Sequence, residues 1–456
     1  MRIAVVLQVA TSGGISRFTY ALIDGILSAE PTVEIGFFAD EMLVELDDLV
    51  SHFASMAVEV IPIKDPAVVG HARQTGKTGK TEDEKSFVWK MGRDLIKMWP
   101  ALHRFATGAF TDARTRLTGE KPWSMFSMPQ DAVERLDSYD VVYLALPLWI
   151  EPFKTNAAVV GTFHDLNYRR FPENFSSAAY RKWDKDFRFW SRRAEIAVTS
   201  TRFIEQELVD AFPDVEPKTR VVYLAPYSVR SVSAEQRHTA LEHFGLADTP
   251  FVVYPANIAP HKNLKTYVEA AGVLKRRMGS HAPVFVITGI GTDELGRDAT
   301  TDYVRSVQDA IREADLVLGH DVLALGYVSD IEVDALTQSA FMLVSASLYE
   351  AGCGPAMDAW KAGVPVGFSN IPPFLEQLDV LGVEALTFDP LDPGSIADAV
   401  QHALHDPDGM RAMAARSREA ISRCTWEGVG RQYADVFREA MEARSGSAET
   451  ERRPVR

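Results

Sequence analysis

The stretch SLYEAGCGPAMDAWKAGVPV, residues 347–366, follows a buried-strand pattern (FMLVSAS, 341–347) and runs directly into a helical one. Pro355 opens the helical pattern, Ala362 ends it and Gly363 is placed to close it. A strand, a glycine-rich turn and a helix in that order present free backbone N–H groups at the helix start, which suits an anion. Two acids flank the turn, Glu350 and Asp358. Taken singly, Asp358 reads as a charge that favours a helix N-terminus, and Glu350 as a solvated loop acid. Together they read as a clamp, with amides for a phosphate and a carboxylate on each side for hydroxyls. Hydrogen bonds to such charged groups contribute roughly 1.5–3 kcal/mol each.

Working outward, short apolar runs alternate with amphipathic segments along most of the chain. RIAVVLQ, VEIGFF, AVEVIPI, DVVYLAL, AVVGTF, EIAVTS and RVVYL form a first series of predicted strands. FVVYP, VFVITG, VLALGY, FMLVS, VPVGF and ALTF form a second. Strands of this kind between helices indicate parallel sheets covered on both faces. The polar stretch SVRSVSAEQRHTALEHFGLADTP separates the two series and places the join near residues 230–248. The fold class is therefore α/β, with two doubly wound, Rossmann-like domains facing an inter-domain cleft. Ligands of such sheets sit outside the carboxyl ends of the strands. The expected organisation is an N-terminal domain over 1–230 with an insertion at about 65–130, and a C-terminal domain over 231–426. A terminal helix over 427–444 and a disordered tail over 445–456 complete it.

The bulk numbers narrow the function classes. A net charge of −15 argues against nucleic acid as a partner, which calls for a basic footprint. The two cysteines, Cys353 and Cys424, give no disulfide framework and suggest a reducing, cytoplasmic setting. The apolar N-terminus lacks the pattern of a signal peptide. The longest apolar run, VVYLALPLWI, is about half of what spans a bilayer. The GKT repeats near residue 76 are not a P-loop, because no glycine stands five residues before either and no strand precedes them. Residues 85–117 are basic and aromatic within an acidic chain. They read either as a docking surface at the inner face of a membrane, or for a polymeric acceptor, or as an insertion helix packed on the N-terminal domain.

Three further motifs lie where a cleft residue should. In YPANIAPHKNLKTYVEAAGVL (254–274) a strand ends, a loop carries Asn257 and Lys262, and Asn263 is placed to cap the next helix. In AVVGTFHDLNYRRFP (158–172) His164 stands just past a predicted strand. In QVATSGGISRFTYAL (8–22) a strand meets a Gly13-Gly14 turn and a helix, too short for a dinucleotide fingerprint. A lone His or loop Lys is more often structural; these gain meaning from one another.

The run from Glu350 to Asp358 resembles the signature of family-4 retaining glycosyltransferases (glycosyl transferases group 1, GT-B fold), in which two Glu are separated by seven residues. The resemblance implies that Glu350 contacts the donor sugar, Asp358 holds the nucleotide ribose, and the turn Gly352-Cys353-Gly354 binds the diphosphate. It implies that Lys262 neutralises that diphosphate, with Asn257 where the family has an Arg. It also places His164 near the reacting sugar and Gly14 over the donor phosphates. Two departures stand out: the second acid is one carbon shorter, and Cys353 replaces a glycine. The implied partners are a nucleotide-sugar donor and a glycan, lipid-linked or small-molecule acceptor, with no cofactor and no metal. Two other readings stay open. One is a phosphorylase or nucleotide-sugar epimerase on the same fold; the other is a binding protein without catalysis, suggested by Asn257, Cys353 and Asp358.

Overall fold

The computed structural model describes residues 1–8, 14–41, 44, 49–63, 126–175, 177–227 and 232–451. Gly13, the candidate docking segment 85–117 and residues 452–456 lie outside the described residues.

Strands β1 (Arg2–Leu7), β2 (Glu34–Asp40), β3 (Val58–Ile63), β4 (Val141–Leu144), β5 (Ala158–Thr162), β6 (Ile196–Thr199) and β7 (Thr219–Val221) form one sheet. Its spatial order is β3-β2-β1-β4-β5-β6-β7, and every pairing is parallel. Strands β8 (Phe251–Pro255), β9 (Val284–Thr288), β10 (Val322–Ala324), β11 (Met342–Ser345), β12 (Val366–Ser369) and β13 (Leu386–Phe388) form the other, in the order β10-β9-β8-β11-β12-β13. It too is wholly parallel. The apolar runs form strands because helices cover both faces. In β1, Ile3 and Val5 enter one core with Phe18 and Leu22, while Ala4 and Val6 enter another with Phe38 and Trp190.

Both sheets reverse their strand order once, between β1 and β4 and between β8 and β11. The second of these gaps becomes the site below.

The stretch taken as a polar join carries a capped helix, Ala234–His243. Ser233 Oγ accepts from the Gln236 amide and Gln236 Oε1 accepts from the Ser233 amide. Val232 and Ala240 bury against Ala335 of the second domain. The terminal helix is also longer than the expected 427–444: it runs Trp426–Glu451, so 445–451 is helical rather than a loose tail. Its Ala, Arg and Glu content favours helix strongly enough to carry Gly446. Tyr433 and Phe437 of this helix are buried in the core of the first domain. Gly430 and Gly25 lie backbone to backbone there; a Cβ on Gly430 would meet the Gly25 carbonyl carbon at 2.2 Å. Among the described residues no helix is long and apolar enough to cross a membrane.

Two side chains fasten the domains to one another. Glu376, on the helix Pro372–Leu381, accepts from the Arg202 and Phe203 amides at 2.6 and 3.0 Å, and from the Tyr223 hydroxyl at 2.7 Å. It thus satisfies free N–H groups at the start of the helix Arg202–Ala211 in the other domain. Tyr349, three residues before the first turn glycine, Gly352, inserts into the first domain's core. Its hydroxyl accepts from the Leu166 amide at 2.9 Å and donates to Glu207 at 2.5 Å. Glu376→Ala is expected to lower stability by about 1–2 kcal/mol, the range for losing a helix cap, read as a lower melting temperature. An unchanged melting temperature would show that Glu376 does not fasten the domains.

Candidate active site

The helix Gly354–Ala362 starts at Cys353 and ends at Gly363, whose φ of 77° is the left-handed conformation expected of a helix-closing glycine. At its start the amides are unequally used. The Cys353 N–H donates to Gln377 Oε1 at 2.9 Å, while those of Gly352 and Gly354 have no acceptor among the described residues. Neither glycine has a positive φ, and a Cβ added to either would come no closer than 3.9 and 3.8 Å to its neighbours. Packing within the chain therefore does not require them, and close approach of a ligand to the backbone would.

Lys262 reaches the turn from the end of β8. The short turn Pro260–Lys262 is held by the Leu348 amide donating to the His261 carbonyl at 2.7 Å. The Tyr254 hydroxyl lies 2.9 Å from the Lys262 carbonyl and 2.7 Å from Ser347 Oγ. Asn263 does not cap the following helix with its side chain. It sits at φ 57° and its Nδ2 donates to the Ala346 and Pro390 carbonyls, fixing the loop to the end of β11 instead. The Lys262 ammonium pairs with Glu350 Oε1, which also accepts from Ser347 Oγ at 2.9 Å. Both contacts fall on Oε1, and among the described residues no hydrogen bond reaches Oε2. Burial, followed by the Glu350 charge, pushes the Cys353 thiol up to about 12, so it stays protonated.

Lys262, Glu350, Gly352, Cys353 and Pro355 line one small cavity of about 30 Å³ at the β8/β11 switch point. Small-ligand sites run to roughly 300–1,000 Å³, so an incoming substrate must part these walls. A larger hollow of about 540 Å³ lies at the opposite, amino-terminal end of β5, between Phe153, Arg193 and Arg444. It contains none of the motif residues. Size alone would choose the wrong place.

The other sequence-derived candidates are distributed around this cavity rather than in it. Asn257 is exposed past the end of β8. Gly14 begins the first helix, Gly14–Ala29. His164 lies past β5, with Nε2 2.8 Å from the Ala145 carbonyl and its ring edge-on to Phe18 at 4.8 Å. That carbonyl can only accept, so Nε2 carries the proton. Burial lowers the His164 pKa to about 4, which keeps the ring neutral. Asp358, partly buried on the helix that follows the turn, faces Arg17 of the first domain at 3.6 Å. Burial raises its carboxyl to about 6, against the opposing pull of Arg17.

The structure adds residues that the sequence reading passed over. Asp165, next to His164, is raised by burial and feels the charges of Glu350, His261 and Lys262 across the cleft. His261 is lowered by burial, and its Nδ1 lies 3.4 Å from Asn167 Nδ2. Nothing in their local sequence marks Asp165 or His261 beyond adjacency to His164 and Lys262.

Residues 239–420, which hold both the Lys262 loop and the Glu350 turn, match the family model for glycosyl transferases group 1. The match spans the second domain, 182 of the 456 residues. This glycosyltransferase is 24% identical over 306 residues to the O-antigen chain mannosyltransferase B of Escherichia coli, covering 66% of this chain and 75% of that one. It is 25% identical over 222 residues to the alpha-D-kanosaminyltransferase of Streptomyces kanamyceticus, covering 48% and 54%. The architecture matches Anabaena HepE, solved in complex with UDP and glucose, with a TM-score of 0.62 at 16% identity over 96% of this chain and 99% of that one. WaaG, a glycosyltransferase involved in lipopolysaccharide biosynthesis, gives 0.60 at 12% identity, covering 95% and 99%. The glycosyltransferase thus has the GT-B fold.

Proposed function

We propose that the glycosyltransferase moves a hexose from a nucleotide-sugar donor, with retention of configuration, to a glycan or lipid-linked acceptor, without a metal or cofactor. The observation that carries this reading is the Lys262–Glu350 pair set against the unused amides of Gly352 and Gly354. A cation and backbone N–H groups together suit a diphosphate leaving group, whose charge grows as the sugar departs. The Glu350 carboxylate, which lines the same cavity and has one oxygen without a hydrogen bond, suits the hydroxyls of the sugar. Asp358 is the carboxylate proposed for the ribose. In this reading catalysis is mostly positioning and charge stabilisation within a cleft that closes on the donor.

The relatives favour polysaccharide assembly as the setting, since one is named as an O-antigen chain mannosyltransferase. HepE was solved with UDP and glucose, which favours a nucleoside diphosphate at the turn.

A thermal-shift series with UDP, GDP and ADP and their sugar conjugates tests the reading. A ligand at a hundredfold its Kd adds about 2.7 kcal/mol of apparent stability, a readily seen shift. No shift with any of them would overturn it. Retention is tested separately, by proton NMR of the anomeric centre in the transfer product.

A further inference from the structure

Arg17 is drawn across the cleft into a layered contact. Its guanidinium lies over the Tyr227 ring at 4.7 Å, and Tyr227 in turn stacks on Trp426 at 5.5 Å. The same guanidinium faces Asp358 Oδ2 at 3.6 Å, while Asp358 Oδ1, buried, has no hydrogen-bond donor. The Tyr227 ring edge is also the nearest neighbour of Gly354, 3.8 Å from where a Cβ would stand. One aromatic ring therefore joins the unused amides of the turn to the guanidinium that faces Asp358. Asp334 and Lys361 are the other charges near this carboxylate.

We infer that Arg17 is a hand-over residue: it holds the Asp358 carboxylate until a nucleoside diphosphate arrives, then turns to the phosphates and leaves Asp358 to the ribose hydroxyls. This rests on the proposed nucleotide-sugar reading and adds a residue from the other domain to it. The energetic order supports the exchange. Arg17 is 47% exposed, and a half-exposed ion pair at 3.6 Å contributes little. A diphosphate seated on the Gly352 and Gly354 amides lies beside the Tyr227 ring and offers the guanidinium paired oxygens at higher charge. The orphaned Asp358 Oδ1 gains a hydroxyl donor in the same step, relieving a buried acceptor without a partner.

Ligand-observed NMR and calorimetry on wild type and Arg17→Ala, with UDP and GDP and with uridine and guanosine, test the inference. The diphosphate that binds wild type is expected to lose affinity by about tenfold or more in Arg17→Ala, with a shallower dependence on salt. The matching nucleoside, which has a ribose and no phosphate, is expected to bind the variant as well as wild type or better. Opposite responses of the two ligands are not produced by a misplaced helix. Equal weakening of both, or an unchanged diphosphate affinity, overturns the hand-over. If neither diphosphate binds wild type, the nucleotide-sugar reading itself fails, a result distinct from the previous two. Arg17→Lys, which keeps the charge but not the planar fork, should recover part of the diphosphate affinity and guards against loss of fold in the alanine variant.

Discussion

Lys262→Ala is expected to lower turnover at saturating donor by at least about tenfold, the effect of losing roughly 1.4 kcal/mol of transition-state stabilisation. Lys262 lines the cavity at the β8/β11 switch point, and its loop is pinned by the His261 carbonyl and the Tyr254 hydroxyl. A cation fixed in this way needs no reorganisation when negative charge develops on a departing diphosphate. The substitution also leaves Glu350 half-buried without its cation, so the donor-binding carboxylate loses its fixed position. Steady-state transfer assays on both proteins make the measurement. Equal turnover would mean that the leaving group is neutralised elsewhere, and Lys262 would revert to a structural partner of Glu350.

The second large effect separates the two acids. Glu350→Gln is expected to cut transfer strongly, by about a hundredfold, because a donor sugar held at the wrong angle loses its near-attack geometry. It should leave affinity for the free nucleoside diphosphate almost unchanged, since that ligand carries no sugar. Asp358→Asn should instead weaken the diphosphate, which carries the ribose. Calorimetry with UDP and GDP, run beside the transfer assay, decides between them. If both variants bind like wild type, or if Glu350→Gln alone loses the diphosphate, the clamp is wrong. A lower melting temperature with unaltered nucleotide affinity in Asp358→Asn would make this carboxylate a structural group.

Much of the fold was legible in the sequence because parallel strands buried on both faces announce themselves. VVYL at 141–144 and MLVS at 342–345 are apolar almost without interruption, and both are strands. Within the site, Lys262, Glu350 and the turn glycines were legible because each follows a strand end closely. What was not legible depends on partners far along the chain. Nothing in the local sequence marks Tyr349, yet its hydroxyl meets Leu166 and Glu207, 183 and 142 positions away. Arg17 was one basic residue on an amphipathic helix until the fold set it between Tyr227 and Asp358. Asn263 failed as a cap for a physical reason: its amide found two buried carbonyls, and its backbone took a left-handed conformation that Asn tolerates. The terminal helix ran past its expected end because local helix preference decided the matter there.

The terminal helix carries a consequence for how the chain is made. Its Tyr433 and Phe437 fill the core beneath strands β1 and β4, which emerge from the ribosome first. At about 5–20 residues per second the first sheet must wait tens of seconds or less for those side chains, while the second domain can already fold. The domain that is synthesised first is thus completed last. Chains halted before residue 426 should present an open apolar surface along Phe18, Leu22 and Ile26 and be drawn to chaperones or to one another.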